Sequence, residues 1–504
     1  MTGHDVLVAV DAGTSTIKAV AFDTTGAEIA VKTRAIETYR PATGHAEQDM
    51  STVWTCTSAA IGEVIDELPA NATPLGVSIT GQGDGLWAVT ADGDPARNAI
   101  LWSDSRASVI LDEWDERGHL ATIADQCGSN PYPGMSLPLL AWLACEEPTQ
   151  FARIDTVLSC KDWLNYKLTG ERTIDHCEAT VPYLDKTTEE YDRSVFDLID
   201  LPEAKELLPP LSSPTDVVGQ VTPEAADATG LEAGLPVVAG AFDVPTSAIG
   251  SGTVTRGGTT VTLGTSLTEQ VLVDGPQPET TGIQMSLGVE GLWTYAIGSN
   301  AGTPSLEWAA ETIADDVSLA ELEAIAVSAP QGSDGVMYHP YLSTTGERGP
   351  FVDPHARGQF IGLTPEHGTE SLVRSVYEGL SFAVRDCVEH LPADPTTVTL
   401  TGGGTRSELW CQMLADTLDC PVEVPESSEP GAKGAAIILA NAVGEFPSLA
   451  AAAEQMISTE RRHEPRERAT TQYERLYEAY ASIREEMSSV WAHRAKAYDE
   501  RARE

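Results

Sequence analysis

Lysine is scarce in this chain. Only eight of the 504 residues are lysine, and Lys plus Arg number 31 against 76 Asp plus Glu. The formal net charge is −45. That balance speaks against a basic face for a phosphate backbone, so no nucleic-acid partner is expected. The acidic residues run along the whole chain rather than gathering in a tail. That favours an acidic surface over an ordinary core against a disordered acidic segment. Such a surface suits very high salt, where self-repulsion is screened, and a salt-loving source is expected. A merely acidic mesophilic protein is the plainer alternative, and the few lysines speak against it.

Other absences narrow the reading further. No apolar run reaches transmembrane length, and no signal peptide opens the chain, so no membrane partner and a cytoplasmic location are expected. The eight cysteines (56, 127, 145, 160, 177, 387, 411, 420) form no C-x-x-C pair, and the ten histidines show no metal-ligand spacing. Free thiols in a reducing compartment follow. There is no G-x-x-x-x-G-K-[ST] motif and no G-x-G-x-x-G after the first strand, which excludes P-loop and Rossmann sites. With 504 residues the chain is too long for one core, and its 41% apolar content is ordinary.

What is present begins with "VLVAVDAGTSTIKAVAFD", residues 6–23. Residues 6–10 read as a buried strand, "DAGTST" as a turn and 17–22 as a second strand, making a hairpin; a third strand follows Gly26. Helical spacing predicts helices over 51–68, 137–143 and 155–168. Short strands are expected at 75–80, 86–89 and 99–102. In the middle, residues 237–239 end a strand and 244–249 start a helix. Then "GGTTVTLGTSLTEQVLVD", residues 257–274, repeats the strand, Gly-Thr-Ser turn and strand of the opening. The recurrence of the whole hairpin signals two related lobes. Residues 398–400 read as a strand entering the loop 402–404 and a helix over 408–418. Residues 430–444 form a small-residue helix that must approach its neighbours closely. Beyond residue 447 the chain reads as a solvated, charged helical tail.

Backbone N–H groups in a Gly turn, flanked by Thr and Ser hydroxyls, make a cup for phosphate oxygens, and an adjacent Asp can hold Mg²⁺. Alone, the first turn is as well read as an ordinary hairpin tip. A second cup at 264–266 and a third Gly loop at 402–404 favour phosphate. Asp243 follows the small apolar run "VVAGAF" and precedes a helix. A carboxylate at a buried strand end is costly unless used, although it also serves as a helix cap. Gln82, Asp84, Trp102 and Asp104 lie where strands end in polar loops. Carboxylates accept from sugar hydroxyls and an indole face covers their C–H groups. A turn residue and a core aromatic are the plainer readings of Asp84 and Trp102.

Taken together, "DAGTSTIKAVAFD", "TGQGDGLW", "ILWSDSRA", "KDWLNYKLTGERTIDHCEAT", "GAFDVPTSAIGSG", "TLGTSL" and "TGGGTRSELWCQMLAD" resemble the FGGY carbohydrate kinases over roughly residues 5–447. The resemblance implies an α/β fold of two actin-like (ribonuclease H-like) lobes around a cleft: 1–250 mainly for sugar, 251–446 mainly for ATP, with 447–504 as the tail. It implies ATP and Mg²⁺ as cofactors and a small sugar or polyol as partner, with a homodimer kept open. It makes Asp243 the base and places Asp11 by the metal. Gly13, Thr14, Ser15, Thr16 and Lys18 would then face the γ-phosphate, Gly264 and Thr265 the β-phosphate, and Gly403 and Ser407 the nucleoside end. Gln82, Asp84, Trp102 and Tyr132 would line the sugar pocket.

Two departures matter. Pro138-Leu139-Leu140-Ala141-Trp142 lacks the lysine many members carry, and Gly83-Asp84 stands where the glycerol type has Arg-Glu. The second argues against glycerol and, on this reading, leaves space for a longer substrate. A ketopentose such as xylulose is expected, with erythritol or another short polyol as the alternative. An actin-like ATPase that binds a partner, or an inactive sugar sensor, are the readings of another class.

Overall fold

The computed structural model describes residues 4–278, 282–426 and 429–501. The chain divides into two compact units, one of residues 1–254, 273–294 and 427–458, the other of 255–272, 295–426 and 459–504.

The first unit is built on a six-stranded sheet in the order Val217–Gln220, Pro236–Val238, Ala72–Gly81, His4–Ala12, Thr16–Asp23, Glu28–Ala35. The first and second strands form the expected hairpin, with Asp11 opposite Lys18 and Ala12 opposite Ile17. His4–Ala12 also pairs in parallel with Ala72–Gly81. Residues Val6, Leu7, Val8, Ala9 and Val10 are all fully buried, because helices cover both faces of this strand and leave no solvated side to alternate toward.

Helix Met50–Glu67 begins at Asp49, whose carboxylate accepts from Thr52 N–H. Helix Pro430–Ala442 lies on the sheet through glycines. A Cβ at Gly434 would stand 1.9 Å from the Thr246 carbonyl oxygen, and one at Gly250 would stand 1.9 Å from that of Pro430. Helix Asp243–Ile249 and helix Pro430–Ala442 therefore meet backbone to backbone, which is the close approach the small residues require.

In the second unit, Leu292–Ser299, Leu267–Asp274, Thr259–Leu263, Val398–Thr401, Val422–Pro425 and Thr459–His463 are neighbours in that order. The repeated hairpin is present, with Thr262 opposite Thr268. Helix Glu408–Leu418 follows the Gly loop, and Ser407 caps it by accepting from Trp410 N–H.

Two expectations need correction. Residues 155–168 are not one helix: Thr156–Leu158 is a strand paired with Trp87–Val89, and the helix starts at Cys160. The tail is also more than a solvated cap. Thr459–His463 pairs with Val422–Pro425 as an edge strand, and helix Glu467–Arg501 buries Tyr473, Tyr477, Tyr480 and Trp491. Tyr473 donates to Glu378 Oε1 at 3.1 Å, which Arg374 also bonds at 2.9 Å.

The charge of −45 has a stability consequence. Self-repulsion at low ionic strength opposes the compact state, and salt screens it. The melting temperature is expected to rise steadily from low to molar potassium chloride. A melting temperature indifferent to salt would remove the case for a salt-adapted surface.

Candidate active site

In the first unit, the turn after His4–Ala12 brings Asp11 beside Lys18, as cross-strand partners must be. Lys18 Nζ contacts Glu429 Oε2 at 2.5 Å. Burial raises the Asp11 carboxyl to about 6 against the pull of Lys18, with Glu429 adding to the rise. Gly431 opens the space beside it: a Cβ there would lie 2.4 Å from Asp11 Oδ2. The turn is closed by Gln82 N–H donating to Ala12 O at 3.0 Å and Ile36 N–H to Ser15 O at 2.9 Å. Gly13 and Thr16 are half-buried, and Ser15 is exposed.

Asp243 is the first residue of its helix, not the cap; Phe242 holds the cap position. The chain ahead of it is pinned at Ala241 O, which accepts from Thr80 Oγ1 at 2.8 Å and Thr246 Oγ1 at 2.9 Å. Burial, then the Asp11 charge and, more weakly, Asp84, push the Asp243 carboxyl up to about 7. That is where a general base has most use at neutral pH.

Asp84 sits in the left-handed region at φ 56°, a conformation Asp tolerates. It accepts from Tyr132 O–H at 2.6 Å, while its own N–H donates to Glu178 Oε1 at 2.7 Å. Burial raises Asp84 to about 6 and Glu178 well above the usual carboxyl range. Asp175 caps the helix His176–Tyr183 and so fixes Glu178 on its first turn. Trp102 is 42% exposed, and its indole N–H donates to Thr14 Oγ1 at 3.0 Å.

Several residues are not where the sequence put them. Gln82 is 3% exposed, and its amide is spent on Thr14 at 3.1 Å and Gln48 at 2.8 Å, beneath the site rather than open to a sugar. Asp104 is buried in an ion pair with Arg106 at 2.8 Å and takes no part. Gly83 leaves no vacant space, because a Cβ there would stand 2.5 Å from the Phe242 ring. Glu178, Gln48 and Phe242 carried no assignment from sequence. Glu178 and Phe242 fall inside the motifs "KDWLNYKLTGERTIDHCEAT" and "GAFDVPTSAIGSG" without a role of their own, and Gln48 falls in none of the motifs.

In the second unit, Gly264 and Thr265 form the turn of the repeated hairpin. Gly302 must be glycine there, since a Cβ would lie 2.4 Å from Thr265 O and 2.6 Å from Gly264 O. Gly403 is exposed, and Ser407 stands at the start of helix Glu408–Leu418. Such a helix start favours anions.

Residues 6–250 match the N-terminal domain of the FGGY family of carbohydrate kinases, and residues 254–443 match the C-terminal domain. The chain is an FGGY carbohydrate kinase. It is 32% identical to the erythritol kinase of Brucella abortus over 97% of both chains. It is also 32% identical to the xylulose kinase of Escherichia coli over 81% of this chain and 84% of that one. The crystal structure of xylulose kinase from Rhodospirillum rubrum superposes with TM-score 0.90 at 26% identity, covering 97% of the kinase and all of that chain. The expected fold of two actin-like lobes stands, and the kinase is an ATP-dependent phosphotransferase. Sugar kinases of this family use ATP and a divalent metal. Among the described residues no helix is long and apolar enough to cross a membrane, and all eight cysteines are free.

Proposed function

We propose that the kinase phosphorylates a ketopentose such as xylulose, with Asp243 as the base that takes the proton of the attacking hydroxyl. The observation that carries this is the Asp243 carboxyl, raised to about 7, grouped with Asp84 and Tyr132 at the end of a buried sheet. Asp84 and Tyr132 bind sugar hydroxyls, Trp102 covers their C–H side, and Gln82 supports them from below. The phosphate turn of Gly13, Thr14, Ser15, Thr16 and Lys18 receives the transferring group through its N–H groups, the Ser15 and Thr16 hydroxyls and the Lys18 charge. Gly264 and Thr265, with Gly403 and Ser407, hold the rest of the nucleotide. Positioning, rather than covalent chemistry, is what these residues supply.

Among the described residues no cluster of three or more His, Cys, Asp or Glu could hold a metal unaided. Asp11 offers one hard oxygen at the turn, which suits Mg²⁺, an ion that takes one or two carboxylates alongside phosphate oxygens and water. When bound there, Mg²⁺ would neutralise phosphate charge. The free thiols suit a cytoplasmic location. Residues 1–250 mainly serve the sugar and 251–446 mainly the nucleotide.

Erythritol is the second reading, favoured by the 32% identity to the Brucella abortus erythritol kinase over nearly the whole chain. A coupled ADP-release assay over D- and L-xylulose, ribulose, ribitol, erythritol and glycerol decides between them. A four- or five-carbon ketose or polyol is expected to exceed glycerol in kcat/KM. Gly83 carries no charged group to grip a terminal hydroxyl, and the Phe242 ring bounds that side instead. Glycerol as the best substrate would overturn this picture of the pocket.

A further inference from the structure

Thr14, Gln48 and Gln82 form a closed ring of three hydrogen bonds. Thr14 Oγ1 donates to Gln82 Oε1 at 3.1 Å, Gln82 Nε2 donates to Gln48 Oε1 at 2.8 Å, and Gln48 Nε2 donates to the Thr14 carbonyl at 2.7 Å. Each amide is used at both ends. Turning either one over would set oxygen against oxygen or nitrogen against nitrogen, so the ring has a single sense. The Trp102 indole N–H joins it from outside, on Thr14 Oγ1 at 3.0 Å.

Gln48 is fully buried. Its backbone is fixed on both sides. Glu47–Gln48 pairs with Ala99–Ile100, and the next residue, Asp49, caps helix Met50–Glu67. A buried amide with its donor and acceptor both spent on two site residues is costly to desolvate and is repaid only by holding them.

We propose that Gln48 is a positioning residue that ties the sugar shelf to the phosphate turn, so that Trp102, Gln82 and Thr14 hold one fixed geometry. The Thr14 carbonyl it grips belongs to the turn whose N–H groups must aim at phosphate. A loosened carbonyl rotates the peptide plane and with it the next N–H. This inference rests on the reading of Thr14 as a phosphate contact.

The test is steady-state kinetics of Gln48→Met, Thr14→Val and the double variant, with the best sugar of the panel. Gln48→Met keeps the volume and removes the hydrogen bonds. Its kcat is expected to fall roughly 10–100-fold, the scale of a misaligned site, while KM for the sugar moves little. The double variant is expected to lose less than the product of the two single losses, because the Thr14 hydroxyl and Gln48 share Gln82 in one ring, while the grip on the Thr14 carbonyl is lost only with Gln48. A purely structural role would instead multiply the two losses, and that result overturns the proposal. A wild-type kcat in Gln48→Met beside a crippled Thr14→Val also overturns it and leaves the site reading intact. A wild-type kcat in both Gln48→Met and Thr14→Val overturns the proposal, whereas the site reading itself stands or falls with Asp243→Asn. Should Gln48→Met not fold, Gln48→Glu keeps the shape but sets an oxygen against the Thr14 carbonyl. Its kcat must then fall too, and wild-type turnover in that variant overturns the proposal.

Discussion

Asp243→Asn is expected to leave the kinase folded and binding ATP while lowering kcat by roughly 10²–10⁴-fold, the range for removing a positioned general base. The fold survives because the turn before Asp243 is held by Thr80 and Thr246 through Ala241 O, not by the carboxylate. In the unsubstituted enzyme, kcat/KM should rise with pH through about 7, as the Asp243 carboxyl loses its proton, and that limb should vanish in the variant. Stability moves the other way. A carboxyl raised from 3.8 to about 7 by folding binds its proton more tightly in the folded state. Its favourable contribution is complete below pH 3.8 and is lost as pH rises through about 7. The variant is therefore expected to melt no lower than the parent at pH 8, because it buries no charge there and the repulsion from Asp11 and Asp84 is gone as well. Turnover near that of the parent would remove Asp243 from the role of base.

Asp84→Asn is expected to lower kcat/KM for the preferred sugar by about 10–100-fold, the scale of one lost hydrogen bond to a charged group, with KM for ATP unchanged. Asn tolerates the left-handed backbone at φ 56° and still accepts from Tyr132, so the loop keeps its form. What changes is the acceptor strength offered to substrate hydroxyls. The preference among the sugars of the panel should narrow accordingly, since discrimination by a polar pocket comes from leaving buried groups unpaired. Parent-like selectivity in this variant would mean that Asp84 does not read the sugar.

Local chemistry made the two hairpins legible: a run of β-branched residues, a Gly-Thr-Ser turn and a second run suffice to specify a strand pair. The helix over Glu408–Leu418 was equally plain from the Gly loop ahead of it and the apolar spacing behind, and the structure adds Ser407 as its cap. Thr156–Leu158 was not, because a short Thr-Val-Leu run ahead of a helix fits its period as well as a strand's. Their pairing with Trp87–Val89 is what decides. The polar strand Thr459–His463 has no apolar alternation to announce it, since an edge strand is held by its ladder to Val422–Pro425. At the site, Asp11, Asp84 and Asp243 stood out as acids at strand ends. Glu178 and Gln48 did not, because their importance lies in partners 94 and 34 positions away. Phe242 over Gly83 is a contact across 159 positions, out of reach of any local pattern.

The return of residues 427–458 to the first unit has a cost during synthesis. Strand His4–Ala12 leaves the ribosome among the first residues, but the Pro430–Ala442 helix that covers it is made after more than four-fifths of the chain. At the usual pace of translation the sheet face under Leu439 stays bare for about 20–90 s. A nascent chain of this kinase therefore carries an open apolar β-surface until that helix is made, the kind of surface that aggregates or is held by chaperones.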